Sequence, residues 1–200
     1  MEFIMRRIFI IIIFVFNLSG CGYNDIQTYD EQTNTAWAEV LNQYQRRADL
    51  IPNLVASVKG YASQEKEVLE AVTLARARAN HASEALQQMP GDEQKLAAWQ
   101  QAQAQLTRSL GQFTLINERY PELKSQELYQ NLMVQLEGTE NRITVARGRY
   151  IKAIEKYNVT IRKFPAVMTA KLMSYTPKKN YLPEDVATIS KAPAIDFSQR

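Results

Sequence analysis

The chain has 200 residues, 24 Lys and Arg against 21 Asp and Glu, one His and one Cys, and a formal net charge of +3. One imidazole and one thiol leave almost nothing for a transition-metal site, and interspersed charges without a clustered basic face argue against nucleic-acid binding. Seven Gly and seven Pro, with abundant Ala, Gln, Glu, Leu and Arg, favour a helical chain.

At the N-terminus Arg6-Arg7 precede the apolar stretch Ile8–Leu18, and Leu18-Ser19-Gly20-Cys21 follows. As a helix the 11 residues from Ile8 to Leu18 would reach roughly 17 Å at about 1.5 Å per residue, short of the ~30 Å hydrocarbon core. The length suits the apolar region of a signal peptide, although an uncleaved anchor would give the same outward topology. Leu18-Ser19-Gly20-Cys21 resembles the lipobox of bacterial lipoproteins, in which the cysteine is acylated, palmitate-class chains included, and becomes the first mature residue. The expectation is therefore a signal peptide over 1–20 and a lipidated Cys21, which leaves no thiol for a disulfide. Stable residence needs two membrane signals, and a lipoprotein cysteine carries two or three acyl chains. Residue 22 is Gly and not Asp; in a Gram-negative cell that favours the outer over the inner membrane. Removing 1–20 takes away Arg6, Arg7 and Glu2 and leaves 180 residues with a charge of +2, enough for one domain with a sizeable core.

From Ile26 the pattern Ile26, Tyr29, Thr33, Ala36, Val40, Tyr44, widened by Trp37 and Leu41, predicts an amphipathic helix. Pro52 predicts a kink or restart, with Asp49 as the cap. The next segment repeats at four and three residues through Leu54, Val58, Tyr61, Glu65, Val68, Val72, Ala75, Ala79, Ala82, Leu86 and Met89. That is a coiled-coil-like heptad seam interrupted only by Glu65. Pro90-Gly91 breaks it, and Asp92 is the expected N-cap of a third segment carrying Leu96, Trp99, Leu106, Leu110, Phe113 and Tyr120. A fourth begins near Ser125, with Tyr129, Leu132, Leu136, Thr139, Ile143, Ala146, Tyr150, Ala153 and Tyr157, and stops at Phe164-Pro165. Long helices joined by short turns fold back on one another. The expected fold is all-α: an elongated antiparallel four-helix bundle over 21–165, its first helix kinked near Pro52. A short apolar piece (167–173) and a Pro-punctuated stretch then make an extended, irregular tail over 166–200.

Several blocks carry a resemblance. Arg46-Arg47-Ala48-Asp49-Leu50-Ile51-Pro52-Asn53-Leu54-Val55 with Val58-Lys59-Gly60-Tyr61 resembles the signature of the LemA family. So do Glu70-Ala71-Val72 with Ala75-Arg76, Tyr120-Pro121-Glu122-Leu123-Lys124 and Glu137-Gly138-Thr139-Glu140-Asn141-Arg142-Ile143. Tyr157-Asn158 through Phe164-Pro165 and Ala192-Pro193-Ala194-Ile195-Asp196-Phe197 complete the match, which covers roughly 23–197. The resemblance implies a helical bundle on an N-terminal membrane anchor and supplies no catalytic activity. Many members look like single-pass membrane proteins with a longer apolar N-terminus, and the short lipobox-ending stretch here departs from that pattern.

Candidate sites are few. His81 sits alone among Ala79, Asn80, Ala82 and Ser83 and reads as incidental. Glu137 and Glu140 share a helix face with Asn141 and read as a solvated face paired with arginine. Glu65, on an apolar seam, must be paired or protonated if buried. Arg76, Arg78, Arg142, Arg147 and Arg149 are candidate partners, and a ligand-sensing acid is the alternative. Arg46, Arg47 and Asp49 either neutralise one another around a kink or form a polar docking spot. In Tyr175-Thr176-Pro177-Lys178-Lys179-Asn180-Tyr181, Lys178 and Lys179 belong either to a loose strap over the bundle end or to a contact with anionic headgroups or an acidic partner.

No Gly-rich phosphate loop follows a strand, and no nucleophile, carboxylate pair or metal set stands out. The expected function is a non-enzymatic lipoprotein of the cell envelope, an adaptor or scaffold without a cofactor, held at a membrane and working with another envelope protein. The alternative is a bundle that carries or senses a small apolar or lipid ligand in a cavity near the Ala-rich part of the second segment.

Overall fold

In a computed structural model of the protein, the described residues are 5, 7, 22–60, 65–89 and 91–179. They are all-helical: α1 (Tyr23–Val58), α2 (Lys66–Gln88), α3 (Glu93–Arg119), a 3-10 turn (Pro121–Ser125), α4 (Glu127–Thr160) and α5 (Ala166–Leu172), with no strand among them. The signal peptide expected over 1–20, Cys21 and the tail from residue 180 onward, Ala192–Phe197 included, lie outside the described structure. None of the described helices is long and apolar enough to cross a membrane.

The described chain divides into two compact units, residues 22–40 with 143–179 and residues 41–142, and α1 and α4 contribute to both. In 41–142 the core is built from Ile51, Leu54 and Val58 of α1, Leu69, Val72, Ala75 and Ala79 of α2, and Leu106, Leu110, Phe113 and Ile116 of α3. Leu123 of the 3-10 turn and Tyr129, Leu132 and Leu136 of α4 complete it. The positions recur at three and four residues, so each helix presents one stripe to a common centre. In 22–40 with 143–179, Ile26, Tyr157, Ile161, Ala166 and Ala170 form a core cluster, with Tyr29 and Tyr175 packed on it. Gly22 belongs to this cluster's edge through a close approach: a Cβ there would sit 2.6 Å from the α-carbon of Ala166.

Three expectations change. First, α1 does not restart at Pro52. It runs unbroken to Val58 with Pro52 inside it, and Asp49 caps nothing there but accepts a hydrogen bond from the Gln45 amide at 2.8 Å. A proline in a helix interior leaves the carbonyl four residues earlier without its donor. Here that carbonyl is Ala48, and Arg76 Nε of α2 donates to it at 2.7 Å. A side chain from a neighbouring helix thus replaces the missing amide, so the helix continues. Second, the seam running from Leu54 to Met89 is not one helix. Leu54 and Val58 end α1, Lys59-Gly60 turn the chain, and α2 starts at Lys66; the heptad spacing carries across the turn because both helices feed the same core. Third, residues 166–172 are helical and not extended. The stretch from Ala166 to Thr176 holds no proline, and Ala166 and Ala170 form a small buried face on which α5 seats.

Elsewhere the local signals are obeyed. Asp92 caps α3, accepting from the amides of Gln94 at 2.8 Å and Lys95 at 3.0 Å. Pro121 heads the 3-10 turn that separates α3 from α4.

Candidate functional sites

The residues of greatest chemical interest fall into two groups, one in each unit. Within 41–142 the centre is Arg47. It continues the seam Val40, Tyr44, Arg47, Ile51, Leu54, Val58, so a helix in this register must place its side chain inward, and it is 1% exposed. Its guanidinium is held on three sides. Nη1 donates to Glu140 at 3.0 Å and to the Thr107 hydroxyl at 2.8 Å, and Nη2 donates to Gln103 Oε1 at 2.7 Å and to the Gln103 carbonyl at 3.2 Å. The charge also lies 4.9 Å from the centre of the Tyr44 ring. Tyr44 in turn meets Trp99 edge to face at 4.8 Å, and Trp99 Nε1 donates to Ser83 Oγ at 2.9 Å. One cluster therefore ties α1 to α2, α3 and α4.

Chemically this cluster is a lock. The terminal nitrogens of the guanidinium are matched to one acceptor set on α3 and α4, while the buried Nε has no partner. Sliding a helix by one turn would strand a buried charge, which costs several kcal/mol. The cluster has no thiol, imidazole or activated hydroxyl.

The remaining predicted residues in this unit are dispersed. Arg46 and Asp49 are exposed, while Arg47 beside them points inward, so the three do not form one surface. Glu65 is paired with Arg119 of α3 at 3.0 Å, a partner absent from the five arginines considered above; the side chains are 15% and 64% exposed. An open pair of this kind contributes modestly, about 0–1 kcal/mol. His81 and Glu137 are exposed. Val55, Leu69, Leu74 and Ala77, flanked by Lys59, Lys66 and Glu70, line an open groove of about 620 Å³ between α1 and α2.

Within 22–40 and 143–179 the centre is Asn158, nearly fully buried. Its amide donates to the Lys178 carbonyl and its Oδ1 accepts from the Lys178 amide, both at 2.8 Å. Lys178 folds back to Asp30 at 2.9 Å, lies over the Tyr157 ring at 5.2 Å and donates to the Thr33 hydroxyl. The segment 175–178 is therefore clamped to this unit, and Lys178 is used internally while Lys179 is exposed. Burial raises the Tyr157 phenol above its ordinary value of 10.0, and nearby Asp30 and Tyr175 raise it further. Along α4, Arg149 pairs with Glu39 at 2.8 Å, and Lys156 lies over the Tyr29 ring at 4.5 Å. Lys152, Lys156 and Lys163 line a recess of about 380 Å³ with Tyr29 and Val159. Among the described residues, no three His, Cys, Asp or Glu side chains are placed to hold a metal ion.

The pattern of the LemA family matches residues 36–197. The chain belongs to the LemA family. Two curated relatives are the magnetosome proteins MamQ 1 and MamQ 2 of Paramagnetospirillum magneticum, each 27% identical over 158 residues, covering 72% of this chain. The chain spans 58% of the length of those relatives. The LemA-like blocks can now be read physically. Arg47 is the charge of the buried lock, Ala48 and Pro52 make the orphan carbonyl, Arg76 answers it, Glu140 closes the lock, and Asn158 clamps the strap. Sequence reading missed Arg47 as a core residue, although the signal was present: the stripe through Val40 and Tyr44 advances by three to residue 47.

Proposed function

We propose that this LemA family member is a non-enzymatic helical adaptor of the bacterial cell envelope, anchored through an acylated Cys21 and built as an antiparallel four-helix bundle. The observation that supports the reading is the inward use of the family's charged signature. Arg47, Arg76 and Glu140 are engaged in holding helices together, so the signature specifies a rigid scaffold, and partner contacts fall to the exposed helix faces. An assembly role also fits the name of the MamQ relatives, which calls them proteins of the magnetosome. The lipobox-like Leu18-Ser19-Gly20-Cys21 supports the anchor, and Gly22 in place of Asp supports the outer membrane in a Gram-negative cell.

Crosslinking in living cells followed by quantitative mass spectrometry tests the proposal, with Cys21→Ser as the control. A partner enriched near stoichiometry with the anchored form alone is the expected result; its absence above background would overturn the adaptor reading. A second reading, carriage of a small apolar ligand, is favoured by the groove between α1 and α2. It predicts lipid copurifying with the full chain and lost on Leu74→Glu.

A further inference from the structure

The end of the first unit carries an apolar surface that the adaptor reading does not use. α5 is apolar on both faces. Ala166 and Ala170 are buried against the unit, while on the opposite side Met168 is 66% and Leu172 84% exposed. Phe164, in the turn before α5, is 78% exposed, and Met173 after it is 52% exposed. A helix with apolar side chains on two opposite faces ordinarily has a cover for each, and clustered exposed apolar groups mark an interaction site.

Charge and position identify the cover. From Val159 to Ser174 the sequence contains Arg162, Lys163 and Lys171 and no Asp or Glu, so the apolar residues are set among cations. Gly22, the residue that follows the proposed anchor in sequence, packs on Ala166 of α5 with no room for a side chain. Aromatic and aliphatic side chains beside Lys and Arg are the composition of surfaces that lie in the headgroup region of a bilayer, and juxtamembrane cations are attracted to anionic lipid.

We infer that Phe164, Met168, Leu172 and Met173, with Arg162, Lys163 and Lys171, form a second membrane contact that inserts into the headgroup layer of an anionic bilayer beside the anchor. The inference rests on the proposed anchorage at Cys21. A lipidated cysteine alone lets a protein swivel about its tether, whereas a second contact next to the first holds the protein in one orientation. A side chain at Gly22 would clash with Ala166 of α5.

The test uses the full chain carrying Leu172→Cys, purified from a bacterial membrane, treated with an environment-sensitive thiol fluorophore and reconstituted into phosphatidylglycerol and phosphatidylethanolamine vesicles. Thr35→Cys, exposed on α1, is the reference. The expected result is one label per chain, a blue-shifted emission at residue 172, and quenching by headgroup-proximal nitroxide lipid at least threefold stronger than at residue 35. Lys163→Glu with Lys171→Glu should bring the quenching at 172 down to the level at 35 without loss of helicity. Chains that float with the vesicles yet show equal quenching at 172 and 35 would overturn the second contact and leave the anchor standing. Two labels per chain would show Cys21 free and sink the anchor by itself, with the difference between the two positions still deciding the α5 contact. A blue shift at 172 that grows with protein concentration and ignores the nitroxide would assign the face to a second copy of the chain and overturn the lipid assignment.

Discussion

Residues 41–142 bury a guanidinium among side chains from four helices, whereas in residues 22–40 with 143–179 the buried polar group is a neutral amide, Asn158 clamped to Lys178, and the Lys178–Asp30 and Arg149–Glu39 pairs stay part-exposed. The difference separates two ways of fixing a helical arrangement. A buried charge paired through its terminal nitrogens penalises every alternative register, because any shift leaves it unpaired in a low-dielectric surrounding. Part-exposed ion pairs hold a segment in place at small free-energy cost, since water replaces each one that breaks, and a neutral amide is far cheaper to bury than a charge. The first unit is accordingly the one with a clamped strap, a short docked helix and an exposed apolar end.

The sharpest way to break this contrast is to remove the acceptor of the lock. Glu140 is 40% exposed and Arg47 1%, so Glu140→Ala leaves a buried cation without its counter-charge. We expect a loss of about 3–5 kcal/mol, read from urea melts. Arg47→Met fills the same space and leaves a carboxylate that water can reach, so it should cost less. The opposite order would show that Arg47 acts mainly through packing. Leu132→Ala and Ile143→Ala, at buried positions on α4 that belong to different units, should each cost about 2–5 kcal/mol. Thermal melts in which Ile143→Ala has no effect would place the firm core in 41–142 alone.

Smaller effects test the polar ties. Asn158→Ala removes both bonds to the Lys178 backbone; a cost of about 1–3 kcal/mol should come with faster proteolysis around 175–179. Unchanged cleavage there would mean that the Lys178–Asp30 pair suffices. Arg76→Ala should cost a similar ~1–3 kcal/mol by leaving the Ala48 carbonyl unpaired, and much less when combined with Pro52→Ala, which restores the helical amide. A cycle in which the two effects simply add would refute the substitution of Arg76 for the missing donor.

The smallest expected effect is alkaline. Burial raises the phenols of Tyr129, Tyr150 and Tyr157 above the ordinary 10.0. The folded chain then holds protons that the unfolded chain has released, so stability is complete below pH 10 and declines as pH rises through the folded values. Absorbance at 295 nm should show part of the tyrosine titration delayed relative to the chain in urea. Coincident curves would deny the burial of these rings.

Much of the fold was legible because helical burial is periodic. Leu54, Val58, Val72, Ala75, Ala79, Tyr129, Leu132 and Leu136 follow from spacing alone, and Asp92 and Pro121 mark boundaries through local backbone chemistry. The polar sites were less legible. Spacing shows that residue 47 faces inward, but its arginine looked like a surface charge because Glu140, Gln103 and Thr107 are 93, 56 and 60 residues away. Glu65 announced a pairing without naming Arg119, since the two lie on different helices.

By itself, then, the sequence determined an all-helical LemA family chain, most of its buried seam positions, the Asp92 cap and the Pro121 break, all of which depend on neighbours within a few residues. Tertiary structure decided that α1 passes through Pro52, that Arg47 is buried and that Lys178 is clamped inward. It also decided that α5 docks one face and bares the other. Each of these outcomes turns on a partner far along the chain, and local propensity carries no term for a donor or acceptor that only folding brings near.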